Sequence, residues 1–95
     1  MNYDDIKLIN NTAIHNFELF VDGQRAFIDY KMKGDKAYLI HTEVPTELQG
    51  RGVAEAIVKK AFEYIESHHL TLVPLCSYVQ MYLGKHPEWN RILAH

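Results

Sequence analysis

The hydrophobic period of this 95-residue chain changes once, at Gln49-Gly50-Arg51-Gly52-Val53-Ala54. Before that point apolar residues alternate in twos, as in strands. After it Val53, Ile57, Ala61 and Ile65 form one row, with Ala54, Val58 and Phe62 beside it. Glu55, Lys59, Glu63 and Glu66 take the opposite face, and Glu55–Lys59 is a favourable i,i+4 pair. The pattern predicts a strand, a glycine turn and an amphipathic helix ending near Ser67-His68-His69. Glycine lacks a Cβ, so the backbone amides of Gly50 and Gly52 can close directly on a ligand. The first amides of a helix have no partner within it and carry partial positive charge. A phosphate fits both conditions at Gly50–Ala54. Arg51 opposes the helix dipole unless an anion sits beside it. The plainer reading is a strand-to-helix turn that needs glycines for its backbone alone. The spacing excludes a Walker A loop, since no Gly-Lys-Ser/Thr follows, and also the dinucleotide fingerprint.

Upstream, residues 14–21 read as a strand, Asp22-Gly23 as a two-residue hairpin and residues 24–33 as its returning partner. Ala26, Ile28, Tyr30 and Met32 share one face of that partner. Gly34-Asp35 marks another turn, before a third strand over 37–44. These strands make an antiparallel meander. Residues 1–13 are weakly patterned; Ile6, Leu8 and Ile9 suit a short strand or a segment tucked onto the sheet.

Downstream, residues 70–76 are nearly all apolar, the pattern of an interior strand parallel to its neighbour. Pro74 lacks an amide hydrogen and is out of place in a central ladder. The conflict resolves if the strand leaves residues 37–44 near its C-terminal end, opening a cleft. Ser77 is placed to cap a short helix over 78–83, with Gly84 ending it. Pro87 suits the start of a last turn through Trp89, Ile92 and Leu93. The expected fold is α/β (α+β): a meander, a crossover helix, a splayed parallel strand and C-terminal helices, in one domain over residues 1–95.

The formal net charge is −2 and basic residues are scattered, so a nucleic-acid partner is not expected. No apolar run reaches membrane-spanning length, and no signal-peptide pattern opens the chain. One cysteine excludes an internal disulfide, and a free thiol without an export signal suggests the cytoplasm. The six histidines lack ligand spacing, and no metal is expected.

Three motifs in order carry a resemblance: His41-Thr-Glu-Val-Pro through Gly50-Arg-Gly-Val-Ala54, Val73-Pro-Leu-Cys76 and His86-Pro-Glu-Trp89. Together the chain resembles the small single-domain GNAT-like proteins, of the YjdJ type, within the acetyl-CoA-dependent N-acetyltransferase superfamily. Gln49–Ala54 is similar to that superfamily's pyrophosphate loop. The resemblance implies a shortened GNAT fold binding acetyl-CoA between two splayed strands. Gln49, Gly50, Arg51, Gly52, Val53 and Ala54 would hold the pyrophosphate. The strand ending at Val44 would meet the pantetheine arm, with Cys76 and Tyr78 across the cleft. Lys85 and His86 would reach phosphates from its far side, or serve as exposed surface residues. Full-size members carry helices between their first two strands. The Asp22-Gly23 hairpin leaves no room for them, so the acceptor side should be open, to an unknown amine or a polypeptide.

Acetyl transfer needs a deprotonated nucleophile, donors to the oxyanion and a proton for the CoA thiolate. Cys76, just before a helix, is a candidate covalent carrier; a small buried apolar residue is the plainer reading. His41 would be the general base or activate Cys76, and Glu43 is the backup base. Tyr82, or Tyr78, would protonate the CoA sulfur, although the superfamily's usual landmarks around such a tyrosine are missing. Packing is the alternative for both. The function expected is an acetyl-CoA-dependent N-acetyltransferase, monomeric or weakly dimeric; the alternative is a non-catalytic acyl-CoA-binding or interaction module on the same fold.

Overall fold

A computed structural model describes residues 2–95. Five strands form one sheet in the order β1 (Ile9–Asn11), β2 (Asn16–Val21), β3 (Gln24–Lys33), β4 (Lys36–Glu43) and β5 (Thr71–Pro74). The first four are antiparallel and β5 runs parallel to β4. Helix α1 (Val53–Ser67) makes the crossover between them, and α2 (Ser77–Lys85) follows β5. A 3-10 turn at Thr46–Leu48 precedes the glycine loop, and another spans Pro87–Ile92 with Pro87 at its start.

The β2–β3 hairpin closes as its residues require. Asp22 (φ 52°) and Gly23 (φ 74°) both have positive φ, as a type I′ turn demands. Phe17, Leu19 and Val21 on β2, and Ala26, Ile28 and Tyr30 on β3, are buried on one face. Ala37 and Leu39 of β4 and Leu72 of β5 continue it. Val53, Ile57, Val58, Ala61, Phe62 and Ile65 of α1 are buried against this face. Phe62 meets the rings of Tyr82 and Trp89, each at 5.5 Å, which ties α1 to α2 and the last turn. Burying each of these large side chains contributes about 1.5–3 kcal/mol.

Several boundaries differ from those the sequence predicts. The N-terminal segment forms β1, a fifth strand, while Ile6 and Leu8 pack against the core. Strand β2 begins at Asn16, because His15 turns the chain with φ 52°. Ser77 is not a cap: it is the first residue of α2, Cys76 stands at the N-cap, and among the described residues no side chain caps the helix. Gly84 does not end α2, which continues to Lys85. Met32 shares the predicted face of β3 but lies beyond the core and is exposed.

The sheet carries two irregularities that shape the site. A bulge interrupts the β3–β4 ladder: Tyr30 pairs with Leu39 and Asp29 with His41, leaving Ile40 as the extra residue. The second is the fork. Pairing of β4 with β5 ends at Leu39–Pro74. The amides of Leu75 and Cys76 then both converge on the Leu39 carbonyl, at 3.0 and 2.9 Å. Beyond Leu39, β4 keeps β3 as neighbour while β5 turns away into α2. Pro74 sits at the divergence, where its missing amide costs nothing.

Candidate functional site

The fork leads from the unpaired end of β4 to the glycine loop. Gly50 (φ 79°) and Gly52 (φ 78°) are left-handed, which an L side chain adopts only with strain. A Cβ at either position would meet nothing within 4 Å, so the space beside them is open. Backbone conformation alone therefore accounts for both glycines. Gly52 is the N-cap of α1 and, among the described residues, no side chain caps that helix. A cavity of about 350 Å³ lies against this turn, lined by Val44, Leu48, Gln49, Gly50, Gly52, Val53, Ala54, Glu55 and Tyr78. Seven of these were expected cofactor contacts. The Gln49 side chain bridges back to the Val44 carbonyl at 3.4 Å. Tyr78 reaches the cavity from the first turn of α2, so both helices begin beside it.

Arg51 has a carboxylate beside it within the chain. Its guanidinium pairs with Asp22 at the tip of the β2–β3 hairpin, Nη2 to Oδ2 at 2.9 Å. Its carbonyl accepts a hydrogen bond from the buried Tyr3 hydroxyl at 2.7 Å. A cation at this helix start is thus accounted for by a carboxylate of the chain itself.

Cys76 is buried, and its Sγ lies 3.4 Å from Thr42 Oγ1. The bulge explains why Thr42, and not His41, is the neighbour. Without the extra residue, Leu39, His41 and Glu43 would share a face. With it, Thr42 stands opposite the buried Ile28, while His41 and Glu43 stand opposite Asp29 and Phe27 on the other face. His41 Nε2 is 2.8 Å from Glu43 Oε1, and both side chains are 55 % exposed. Phe27 lies edge-on to the His41 ring at 6.3 Å.

Among the described residues no helix precedes Thr46, and α1 is buried against the opposite face. The face of His41 and Glu43 holds instead a polar lattice. Arg25 Nε donates to Glu18 at 2.7 Å and its Nη2 to Asn16, whose amide donates to Asp29 at 2.6 Å. Arg25 also covers the Phe27 ring at 4.3 Å.

Tyr82 and His86 face a neighbouring crevice of about 400 Å³, shared with Tyr3, Gly52, Glu55, Lys59 and Glu63. Their rings are 4.3 Å apart. Burial, and then the Glu55 carboxylate, push the hydroxyls of both Tyr78 and Tyr82 above the ordinary tyrosine range. Both phenols are therefore held protonated at neutral pH. Lys85 closes the last turn of α2, where a cation favours the helix dipole.

Sequence reasoning passed over Thr42, Asp22 and Tyr3. Strand alternation hid Thr42, because the bulge that turns it inward leaves no local signal. Asp22 carried a full explanation as a turn residue, and Tyr3 lay in a weakly patterned segment.

A parallel fork with a crossover helix starting at a glycine turn defines a GNAT-like fold. Its likeness to a GCN5-like protein from Staphylococcus aureus, solved by NMR in solution, bears this out. The TM-score is 0.68 over 99 % of this chain and 91 % of that one, at 24 % identity. The profile described as GCN5-related N-acetyl-transferase matches residues 16–92, and the chain belongs to that family. Among curated relatives, Protein NATD1 of Xenopus tropicalis is 36 % identical over 85 residues, 86 % of this chain and 78 % of its own length. Protein NATD1 of Mus musculus is 34 % identical over 85 residues, 86 % of this chain and 77 % of its own length.

Proposed function

We propose that the chain binds acetyl-CoA and transfers its acetyl group to an amine. The observation that carries this reading is the continuity of fork and loop. β4 loses β5 as a neighbour at Leu39, and the edge so opened runs into the cavity at the start of α1. An extended pantetheine arm could pair with that backbone edge, and a pyrophosphate could take the amides of Gly50, Gly52, Val53 and Ala54, the Arg51 amide being bonded to the Leu48 carbonyl at 3.3 Å. Gln49, Val44 and Tyr78 would border it. The Gln49 side chain would release the Val44 carbonyl as the arm enters. The residues present suit the group: open amides, space where a Cβ would stand, and a slot with an unpaired strand edge.

The acceptor amine would approach from the helix-free face. There His41, held by Glu43, takes a proton from the amine, whose nitrogen attacks the thioester carbonyl. The C–S bond breaks, and the CoA thiolate takes a proton from Tyr78 or Tyr82 on the helix side. A covalent variant is favoured by the place of Cys76 in the fork, at the N-cap of α2. Its sulfur, having lost its proton to solvent or CoA, accepts the acetyl group, releases CoA and passes the acetyl to the amine. The non-catalytic alternative draws support from the uncovered acceptor face.

An amide-resolved NMR titration with acetyl-CoA tests the site. Saturable shifts centred on Gln49–Ala54, Val44 and Cys76 are expected. Gly52→Val should weaken binding at least tenfold, since a branched side chain is strained at this φ and projects into the open space. Unchanged affinity in that variant removes the loop assignment. Mass gain of one acetyl group at Cys76, absent in Cys76→Ala, selects the covalent variant. Binding without turnover of any amine selects the non-catalytic module.

A further inference from the structure

Arg51 is held at both ends by parts of the chain remote in sequence. Its guanidinium is fixed by Asp22 on the β2–β3 hairpin, and its carbonyl by Tyr3 in the N-terminal segment. It is also the residue between the two left-handed glycines, the most freely jointed stretch of the loop. Such a stretch would otherwise sample many conformations. We propose that Asp22 and Tyr3 are positioning residues for the phosphate-binding loop, setting the direction of the Gly50–Ala54 amides before a ligand arrives. This rests on the acetyl-CoA reading for its ligand, but not for its geometry.

Three observations converge. First, the ion pair is solvent-exposed, with 31 % of the Arg51 and 67 % of the Asp22 side chain accessible, so its contribution to global stability is small. Its effect is then chiefly on where the loop points. Second, a type I′ turn accepts asparagine or glycine at the Asp22 position as readily as aspartate, or more so. The turn alone does not call for a carboxylate; the guanidinium does. Third, Tyr3 is a buried ring whose hydroxyl reaches a loop carbonyl. That bond fixes one peptide plane while the Asp22 pair fixes the side chain, so rotation about Arg51 is restrained from two directions. The Asp22 carboxylate also draws the guanidinium to the hairpin, leaving anion recognition at the turn to backbone amides. Preorganisation of this kind raises affinity by lowering the ordering cost of binding.

The test uses the full chain with Asp22→Asn, Asp22→Gly, Asp22→Glu and Tyr3→Phe. In the unliganded protein, backbone amide order parameters of residues 50–54, from NMR relaxation, should fall in Asp22→Gly and Tyr3→Phe, with the thermal midpoint of Asp22→Gly within a few degrees of the parent. Acetyl-CoA affinity should fall on the order of tenfold in Asp22→Gly. Asp22→Asn should fall between, and Asp22→Glu should recover part of the loss. Order parameters in Asp22→Gly as high as in the parent would overturn the proposal, whatever the ligand does. Lower order parameters with unchanged affinity would overturn the binding role. If the parent itself binds no acetyl-CoA, the acetyl-CoA reading fails, while the relaxation data still decide whether the loop is held by Asp22 and Tyr3.

Discussion

Asn10 illustrates how much rests on single side chains outside the main core. Its Oδ1 accepts from the Tyr30 hydroxyl at 2.5 Å, and its Nδ2 donates to the Tyr64 hydroxyl at 3.0 Å. The short edge strand β1 is thereby joined to β3 and to α1 through one amide. Tyr30 is buried, and burial is the main cause that pushes its hydroxyl above the ordinary range. Asn10→Ala should therefore lower the unfolding free energy by about 1–3 kcal/mol, read from urea denaturation. Asn10→Asp keeps the acceptor for Tyr30, and its loss should be smaller.

At the scale of elements, α1 is the part to which the others are fitted. Phe62 is its largest anchor, buried against the rings of Tyr82 and Trp89. Phe62→Ala should cost about 3–5 kcal/mol and loosen α2 and the last turn before it loosens the meander. Hydrogen exchange resolved by residue would show that order; equal loss throughout would mean the two layers open as one unit. The last turn is also held from outside the core. Arg91 makes two bonds to Glu66, at 2.6 and 3.0 Å, and stacks over Trp89 at 4.5 Å. The tail beyond it adds a parallel bridge at Leu93 and an Ala94 amide bonded to the Leu72 carbonyl, covering the outer edge of β5.

For the whole molecule, pH acts from both sides. Tyr30, Tyr78 and Tyr82 have their folded-state pKa raised above 10.0, chiefly by burial. The protonated form is favoured in the folded protein, so this stability is complete below pH 10.0 and is lost as pH rises through the raised values. Glu66 is lowered from 4.5, chiefly by its hydrogen bonds from Arg91. Its contribution is present above that value and is lost as pH falls through the lowered one. Melting temperatures should thus decline above about pH 10 and below about pH 4.5. Tyr78→Phe should flatten the alkaline decline and leave the acid one unchanged.

The meander, the crossover helix and the parallel strand were legible in the sequence, because each rests on local periodicity or on a turn residue with one favoured conformation. Asp22-Gly23 dictates its hairpin, the row from Val53 to Ile65 dictates α1, and Pro74 marks where a ladder must fail. The glycine turn into α1 was equally plain. What surrounds it was not. One extra residue at Ile40 decides that Thr42 rather than His41 meets Cys76, and strand alternation gives no warning of it. The partner of Arg51 lies 29 positions earlier, and the anchor of its carbonyl is Tyr3, at a separation of 48. Local periodicity chooses elements because it reports which face of each must leave water. The pairing of side chains across elements depends on register, bulges and the angle at which layers meet, and those are settled only when the whole chain packs.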